Sequence, residues 1–181
     1  LVAYRNRNPD ETRNIHLMEY SENNWAERGA IAEDNWQISG CPVNGPAMAG
    51  SIDEVGIIWF TAPQGNTQIK FSQSKTGGRD FDDAIVLSES TLLGRVDLAY
   101  YDGHFFGSWI EIDGKSGCSI VINKLDDDEP SGTEFYRSEI SCDRGSGYPQ
   151  IKFWNDRLLV LWTEPGNTTT ITGEWVSFKE Y

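Results

Sequence analysis

The 181-residue chain carries 28 acidic against 15 basic side chains, for a net charge of −13. That charge repels a phosphate backbone and weighs against nucleic acid as a partner. Hydrophobic residues make up 38% and aromatic residues 12% of the chain, enough for a real core and too much for disorder. No apolar run approaches the roughly 18 residues of a membrane span.

The chain opens at Leu1 inside an apolar run, LVAY, without a signal-peptide pattern, as a processed chain or a fragment would. Three later segments align with one another: EVGIIWFTAPQG, HFFGSWIEIDG and RLLVLWTEPGN. Each is a short apolar run, a Trp and a polar turn. Their tryptophans, Trp59, Trp109 and Trp162, stand 50 and 53 residues apart, and one step back falls on LVAY. A period near 50 with several short strands per repeat is the pattern of a propeller blade.

On that frame the first unit comprises LVAY, RNIHLMEYS and RGAIAED, and lacks its innermost strand. PAMAGS, VGIIWFTA, TQIKFSQS and DDAIVLSE form a whole unit. VDLAYYD, FFGSWIEI, CSIVINKL and EFYRSEIS form another. YPQIKFW, LLVLWTE and TITGEWVSF form a last unit without a fourth strand. No helical periodicity appears. The expected fold is therefore all-β, with blades over residues 1–36, 44–90, 93–143 and 146–181 of a single partial propeller domain. Two blades are whole and two are partial. Closing a ring takes roughly four to eight blades, so the remainder is expected from a missing N-terminal half or another chain.

The stretches ISGCPVNGPAMAG, GIIWFTAP, IKFSQSKTGGRDF, LGRVDLAYYDG, GSWIE and GYPQIKFWNDRLLVLWTE carry a resemblance over nearly the whole chain. They resemble the C-terminal half of bacterial sialidase-like (exo-α-sialidase-like) proteins, which are six-bladed propellers and commonly exported. CPVNGP followed by GRVD is the most specific element. The resemblance implies about half of a six-bladed ring, an extracellular or periplasmic location, and a protein that acts on or binds glycans. The alternative is a non-catalytic binding or scaffold subunit of a larger assembly. The family's blade turn, the Asp box, is matched in degenerate form from Ser74 to Phe81, with Thr76 in place of the Asp and Asp80 in place of the Thr. SENNW, from Ser21 to Trp25, reads as a shortened relative.

In a propeller, the loops leading into each innermost strand share one face with the loops joining strands two and three. On this chain the first set supplies Asn44, Arg95, Asp97 and Tyr148, and the second supplies Arg5, Arg7, Glu111 and Glu164. Sialidase-type hydrolysis uses a Tyr nucleophile, a Glu that activates it and an acid for the leaving oxygen. The resemblance thus implies Tyr148 as nucleophile, Glu164 or Glu111 as its base and Asp97 as acid. Arg5, Arg7, Arg95, Asn44 and Glu111 would bind substrate, the guanidinium groups gripping a carboxylate bidentately. Each residue also has a structural reading. Arg95 and Asp97 could bond neighbouring blades, Tyr148 could pack in its turn before Pro149, and the two glutamates could cap loop amides. Asn44 could simply shape a turn, and Arg5 and Arg7 could balance Asp10 and Glu11.

Cys118 and Cys142 flank a predicted hairpin centred on Pro130, so they sit opposite each other either as a disulfide or as two buried thiols. Cys41 is left over, buried or paired outside the chain. The run Asp126, Asp127, Asp128 and Glu129 occupies the hairpin tip, where solvated acids are ordinary and calcium is the sharper alternative. No cofactor is expected.

Overall fold

Apolar residues at alternate positions, punctuated by tight turns, give strands throughout. The computed structural model describes residues 1–114, 117–126 and 129–177, and among these there is no helix beyond two single 3-10 turns, Pro63–Gly65 and Arg144–Ser146. The strands form four successive antiparallel sheets, each a simple meander. The first holds β1 (Val2–Arg5), β2 (Thr12–Ser21) and β3 (Asn24–Gln37). The second holds β4 (Ala47–Gly50), β5 (Val55–Thr61), β6 (Gln68–Ser74) and β7 (Ile85–Ser88). The third holds β8 (Leu92–Tyr101), β9 (His104–Asp113), β10 (Gly117–Asp126) and β11 (Glu129–Ile140). The fourth holds β12 (Gln150–Trp154), β13 (Arg157–Glu164) and β14 (Thr170–Ser177).

Local sequence explains the joints. Asp102-Gly103, with φ of 50° and 80°, makes the two-residue turn between β8 and β9, the primed geometry that matches strand twist. SENNW is the same device: Glu22 and Asn23, both at positive φ, close β2 onto β3, and Tyr20 packs on Trp25 at 5.1 Å. This corrects the reading of SENNW as a shortened blade turn. Between β6 and β7 the Ser74 hydroxyl accepts the amides of Thr76 and Gly78, and the Thr76 hydroxyl accepts that of Asp80 at 3.0 Å. Phe81 turns inward against the apolar cluster below.

Three apolar layers hold the sheets together. Ile15 and Leu17 meet Ile57 and Trp59 between the first and second sheets. Ile58, Phe60, Ile69 and Phe71 meet Leu98, Phe105 and Trp109 between the second and third. Phe106, Ile110, Ile120 and Ile122 meet Ile151, Leu158, Val160 and Trp162 between the third and fourth. Because side chains alternate across a strand, β5 sends Ile57 and Trp59 one way and Ile58 and Phe60 the other. All seven of its residues are buried.

At Gly56 the second sheet packs tightly against the third. A Cβ there would lie 2.6 Å from the Phe105 ring and 2.8 Å from the Phe71 ring. Gly56→Val is therefore expected to cost about 1–3 kcal/mol by overpacking, lowering the melting temperature by several degrees. Gly45→Ala, where a Cβ meets nothing within 4 Å, should leave it nearly unchanged. Equal melting of the two variants in calorimetry would contradict this packing.

Candidate functional site

Residues 38–46, joining the first sheet to the second, run over one end of the stack and are held from several directions. The Arg13 guanidinium donates to the carbonyls of Ile38 (3.3 Å) and Gly40 (3.1 Å). Tyr148, 105 positions later, donates its hydroxyl to the Val43 carbonyl at 2.8 Å. The carbonyl of Asn44 accepts Arg5 Nε at 3.1 Å. Its side chain receives the Arg95 amide at 2.9 Å and donates to the Leu93 carbonyl at 3.1 Å. Arg5 also donates to the Phe60 carbonyl and stacks over Trp36 at 5.0 Å.

This loop and the first sheet enclose a cavity of about 550 Å³ lined by Arg5, Arg7, Glu11, Arg13 and residues 39–42, within the size range of small-ligand sites. Glu11 bridges two of the arginines, receiving Arg7 on one oxygen and Arg13 on the other at 2.8 Å. The hydrogen bond from Arg7, and after it that from Arg13, hold the Glu11 carboxyl below its ordinary value. Burial pulls Arg5 down to about 10, so it stays charged at neutral pH. Asp34 opposes that fall and Arg13 adds to it. Arg13 is only 5% exposed. Nη1 of Arg5 and Nη1 of Arg13 are buried and bonded to no protein acceptor. An unmade bond of a buried charged donor is costly.

Of the sequence-predicted residues, Arg5, Asn44, Arg95 and Tyr148 are joined in one network, and Arg7 lines the cavity beside it. Arg95 lies inside β8 rather than in a loop. A bulge there breaks the register on both sides of Gly94 and leaves Arg95 at φ 55°. Its guanidinium reaches the Ser146 hydroxyl at 2.8 Å and lies 5.9 Å from the Tyr148 ring. Asp97, also in β8, accepts the amides of Leu98 (2.9 Å) and Ile151 (2.8 Å), so it ties the third sheet to the fourth. Burial, the largest influence, raises its pKa against the pull of those two amides.

Glu111 and Glu164 sit on strand ends and bond tryptophans rather than loop amides. Glu111 accepts the Trp109 indole at 3.0 Å, the Ser88 hydroxyl at 3.1 Å and Arg137 at 3.0 Å. Burial pushes its pKa up, and these three donors together outweigh that and bring it below the ordinary value. Glu164 accepts the Trp162 indole at 2.8 Å. Trp59 is followed two residues later by Thr61, not an acid, and turns instead to buried Asp34 at 2.7 Å. Lys70 neutralises that carboxylate, also at 2.7 Å.

Arg13 completes the cavity but escaped the sequence reading, whereas Glu11 pairs with Arg7 as its structural reading there had it. The available signal was register: Arg13 shares a strand face with Ile15 and Leu17, and a charge on an apolar face needs a reason. Cys41 is exposed rather than buried and forms no disulfide within the chain. Cys118 and Cys142 are disulfide-linked with Cα atoms 5.2 Å apart. They are not opposite each other, however. Cys118 faces Ile140, because the hairpin turns between Asp126 and Glu129 rather than at Pro130, and the bulges at Ile122/Asn123 and Lys124/Asp126 recover only part of that difference. Within the acidic run, Asp127 and Asp128 lie outside the described residues. Among the described residues, no group of three or more His, Cys, Asp or Glu could hold a metal ion, and no helix is long and apolar enough to cross a membrane.

Four successive antiparallel meanders form a propeller-like fold. Among solved structures, a Hadza microbial sialidase superposes with a TM-score of 0.62 at 13% identity, over 93% of this chain and 40% of that one. An α-L-arabinofuranosidase from Clostridium thermocellum superposes at a TM-score of 0.41 and 11% identity, over 92% of this chain and 58% of that one. The chain thus spans less than two thirds of either. No protein-family model matches the sequence, and no curated protein matches it.

The two inner carboxylates titrate with opposite signs. Glu111, lowered in the fold, contributes stability above its unfolded pKa of about 4.3 and loses it as pH falls through the folded value. Asp97, raised in the fold, contributes below its unfolded pKa of about 3.9 and loses that contribution as pH rises through the folded value. In urea denaturation from pH 3 to 7, the advantage of Glu111 over Glu111→Gln is expected to fade towards acid. That of Asp97 over Asp97→Asn should grow. Slopes of the same sign would refute the assignment.

Proposed function

We propose that this chain is part of a sialidase-like propeller that binds glycans carrying an acidic group, with the arginine-lined cavity as the place where that group sits. The observation that carries this reading is the convergence of Arg5, Arg7 and Arg13 on one cavity whose lining holds a single carboxylate, Glu11. A sugar carboxylate offers two acceptor oxygens to such a cluster. The four sheets are then blades, two whole and two three-stranded, amounting to about half of a six-bladed ring, with the rest supplied by further chain or by a partner. The turn from Ser74 to Phe81 acts as a degenerate Asp box, and the disulfide suits an extracellular or periplasmic setting.

Hydrolysis by Tyr148, with Glu164 or Glu111 as base and Asp97 as acid, is the second reading. The rim favours binding over hydrolysis, because Tyr148, Asp97 and Glu111 already spend their polar atoms on structural partners. Arg95 and Asn44 hold Tyr148 and the 38–46 loop in place and form the neighbouring wall.

Titration calorimetry with N-acetylneuraminate and with galactose tests the reading. Binding of the acid but not of the neutral sugar is expected. Arg7→Gln, at the exposed edge, and Arg13→Gln should each weaken it by about tenfold or more, the scale of a hydrogen bond to a charged group. Equal affinity for the two sugars would overturn the proposal. Turnover of a fluorogenic sialoside that is lost in Tyr148→Phe would instead establish the hydrolytic reading.

A further inference from the structure

The outer edges of the first three sheets are guarded. β3 breaks register with β2 three times and carries Glu27, Arg28, Glu33 and Asp34, β11 breaks it twice against β10, and β7 is only four residues long. Bulges, charges and shortness keep a free edge from pairing with another chain. β14 has none of these guards. Its eight residues, TITGEWVS, pair with β13 in unbroken register, and among the described residues no strand pairs with its far edge. On the corresponding edges of the second and third sheets, β7 lies on β6 and β11 on β10. The one charge in β14, Glu174, shares a face with Val176 and accepts the Tyr136 hydroxyl of β11 at 2.7 Å. On the other face Ile171 and Trp175 are 78% and 46% exposed. Gly173 lies between them, where a Cβ would stand 2.5 Å from the Leu161 side chain.

We infer that β14 pairs antiparallel with β14 of a second copy, about a two-fold axis at Gly173, to make one six-stranded sheet. The edge is self-complementary in that register, as a two-fold contact requires. Opposed residues on neighbouring strands share a face, so the axis passes through a residue and not between two. Centred on Gly173, the pairing runs from Thr170 to Val176 and sets Ile171 against the partner's Trp175, and Trp175 against the partner's Ile171. These are the aromatic–aliphatic cross-strand pairs that stabilise sheets, and each ring lies diagonally over the bare glycine. Glu174 meets the partner's Thr172. Centring on Glu174 would oppose two carboxylates, and centring on Thr172 would shorten the pairing to Thr170–Glu174. The contact does not depend on glycan binding. On the blade reading this edge faces away from the axis, so the dimer does not compete with completion of a ring.

Cross-linking tests the register. In a Cys41→Ser background, which removes the exposed native thiol, the double variant Ile171→Cys/Trp175→Cys is expected to form covalent dimers under mild oxidation. Directly opposed Cα atoms lie about 4.5–5.5 Å apart, within disulfide reach. Within one chain the two positions are about 13 Å apart and cannot close on each other. Either single variant should form few dimers, because its new thiol is offset by a similar distance from its copy. Sedimentation of the unaltered chain at about 0.15 M salt, which screens repulsion between two acidic copies beyond about 8 Å, should show a dimer at about 100 μM. Ile171→Lys, a charge on the edge, should raise the dissociation constant about tenfold or more with the melting temperature unchanged. A monomer at that concentration, as a fourth strand donated by the same polypeptide would give, overturns the inference. So does a dimer indifferent to Ile171→Lys, or cross-linking of the single variants as efficient as that of the double.

Discussion

The constraint on which the rest depends is that the inner sheets are buried on both faces. In β5 every side chain is enclosed, and β9 is nearly the same. A strand in that position has no solvent side on which to leave a polar atom, yet each repeat centres on a tryptophan with an indole N–H. The solution recurs. Trp109 and Trp162 donate to the glutamate two residues on, which shares their strand face, and Trp59 donates across the first sheet boundary to Asp34. Leaving one of these donors unpaired would cost about 1–3 kcal/mol. The exception shows the same pressure, since Thr61, standing where an acid stands in the other repeats, keeps a buried hydroxyl without a partner.

That solution decides which chemistry remains at the end of the stack. Glu111, Glu164 and Asp97 resemble candidates for acid–base work by type and position, but each is engaged in holding a strand or an indole in place. Their donors are fixed by the packing beneath them, so freeing a carboxylate would open the interior. The arginines of the first sheet are in the opposite condition. Arg5 is half-buried and Arg13 buried, both charged, with Glu11 taking one nitrogen of Arg13 and backbone carbonyls taking others. The donor capacity left over in this region is therefore cationic, which is the ground of the proposed anion binding.

Much of this architecture is legible in the sequence because it follows from period-two alternation and from three tryptophans at near-equal spacing. Those features set which segments are strands and how they group. Asn44, Arg95 and Tyr148 were legible as neighbours because all three fall just before or at the start of an innermost strand. Bulges were not legible. The one at Gly94 and Arg95 draws a loop residue into a strand, and those in the β10–β11 ladder shift a hairpin that turns between Asp126 and Glu129 so that Cys118 faces Ile140. Neither changes composition or spacing in a readable way, since a bulge is a backbone choice made by the neighbouring ladder. Arg13 was missed for a different reason. Its strand reads as ordinary, and only its registry with Ile15 and Leu17 marks it as a charge pointing inward.

The 38–46 loop shows why site and fold cannot be separated here. Its carbonyls and its one buried side chain, Asn44, are held by Arg5 and Arg13 from the first sheet, by Arg95 from the third and by Tyr148 at the start of the fourth. Any loosening between sheets therefore moves the cavity wall before it exposes much core. The loop thus acts as a clasp, adding polar ties across sheets that are otherwise joined by apolar contact and by crossing bonds such as Lys70 to Asp34 and Ile151 to Asp97. On the proposed reading, a ligand that binds only this assembled state would stabilise the whole stack by mass action.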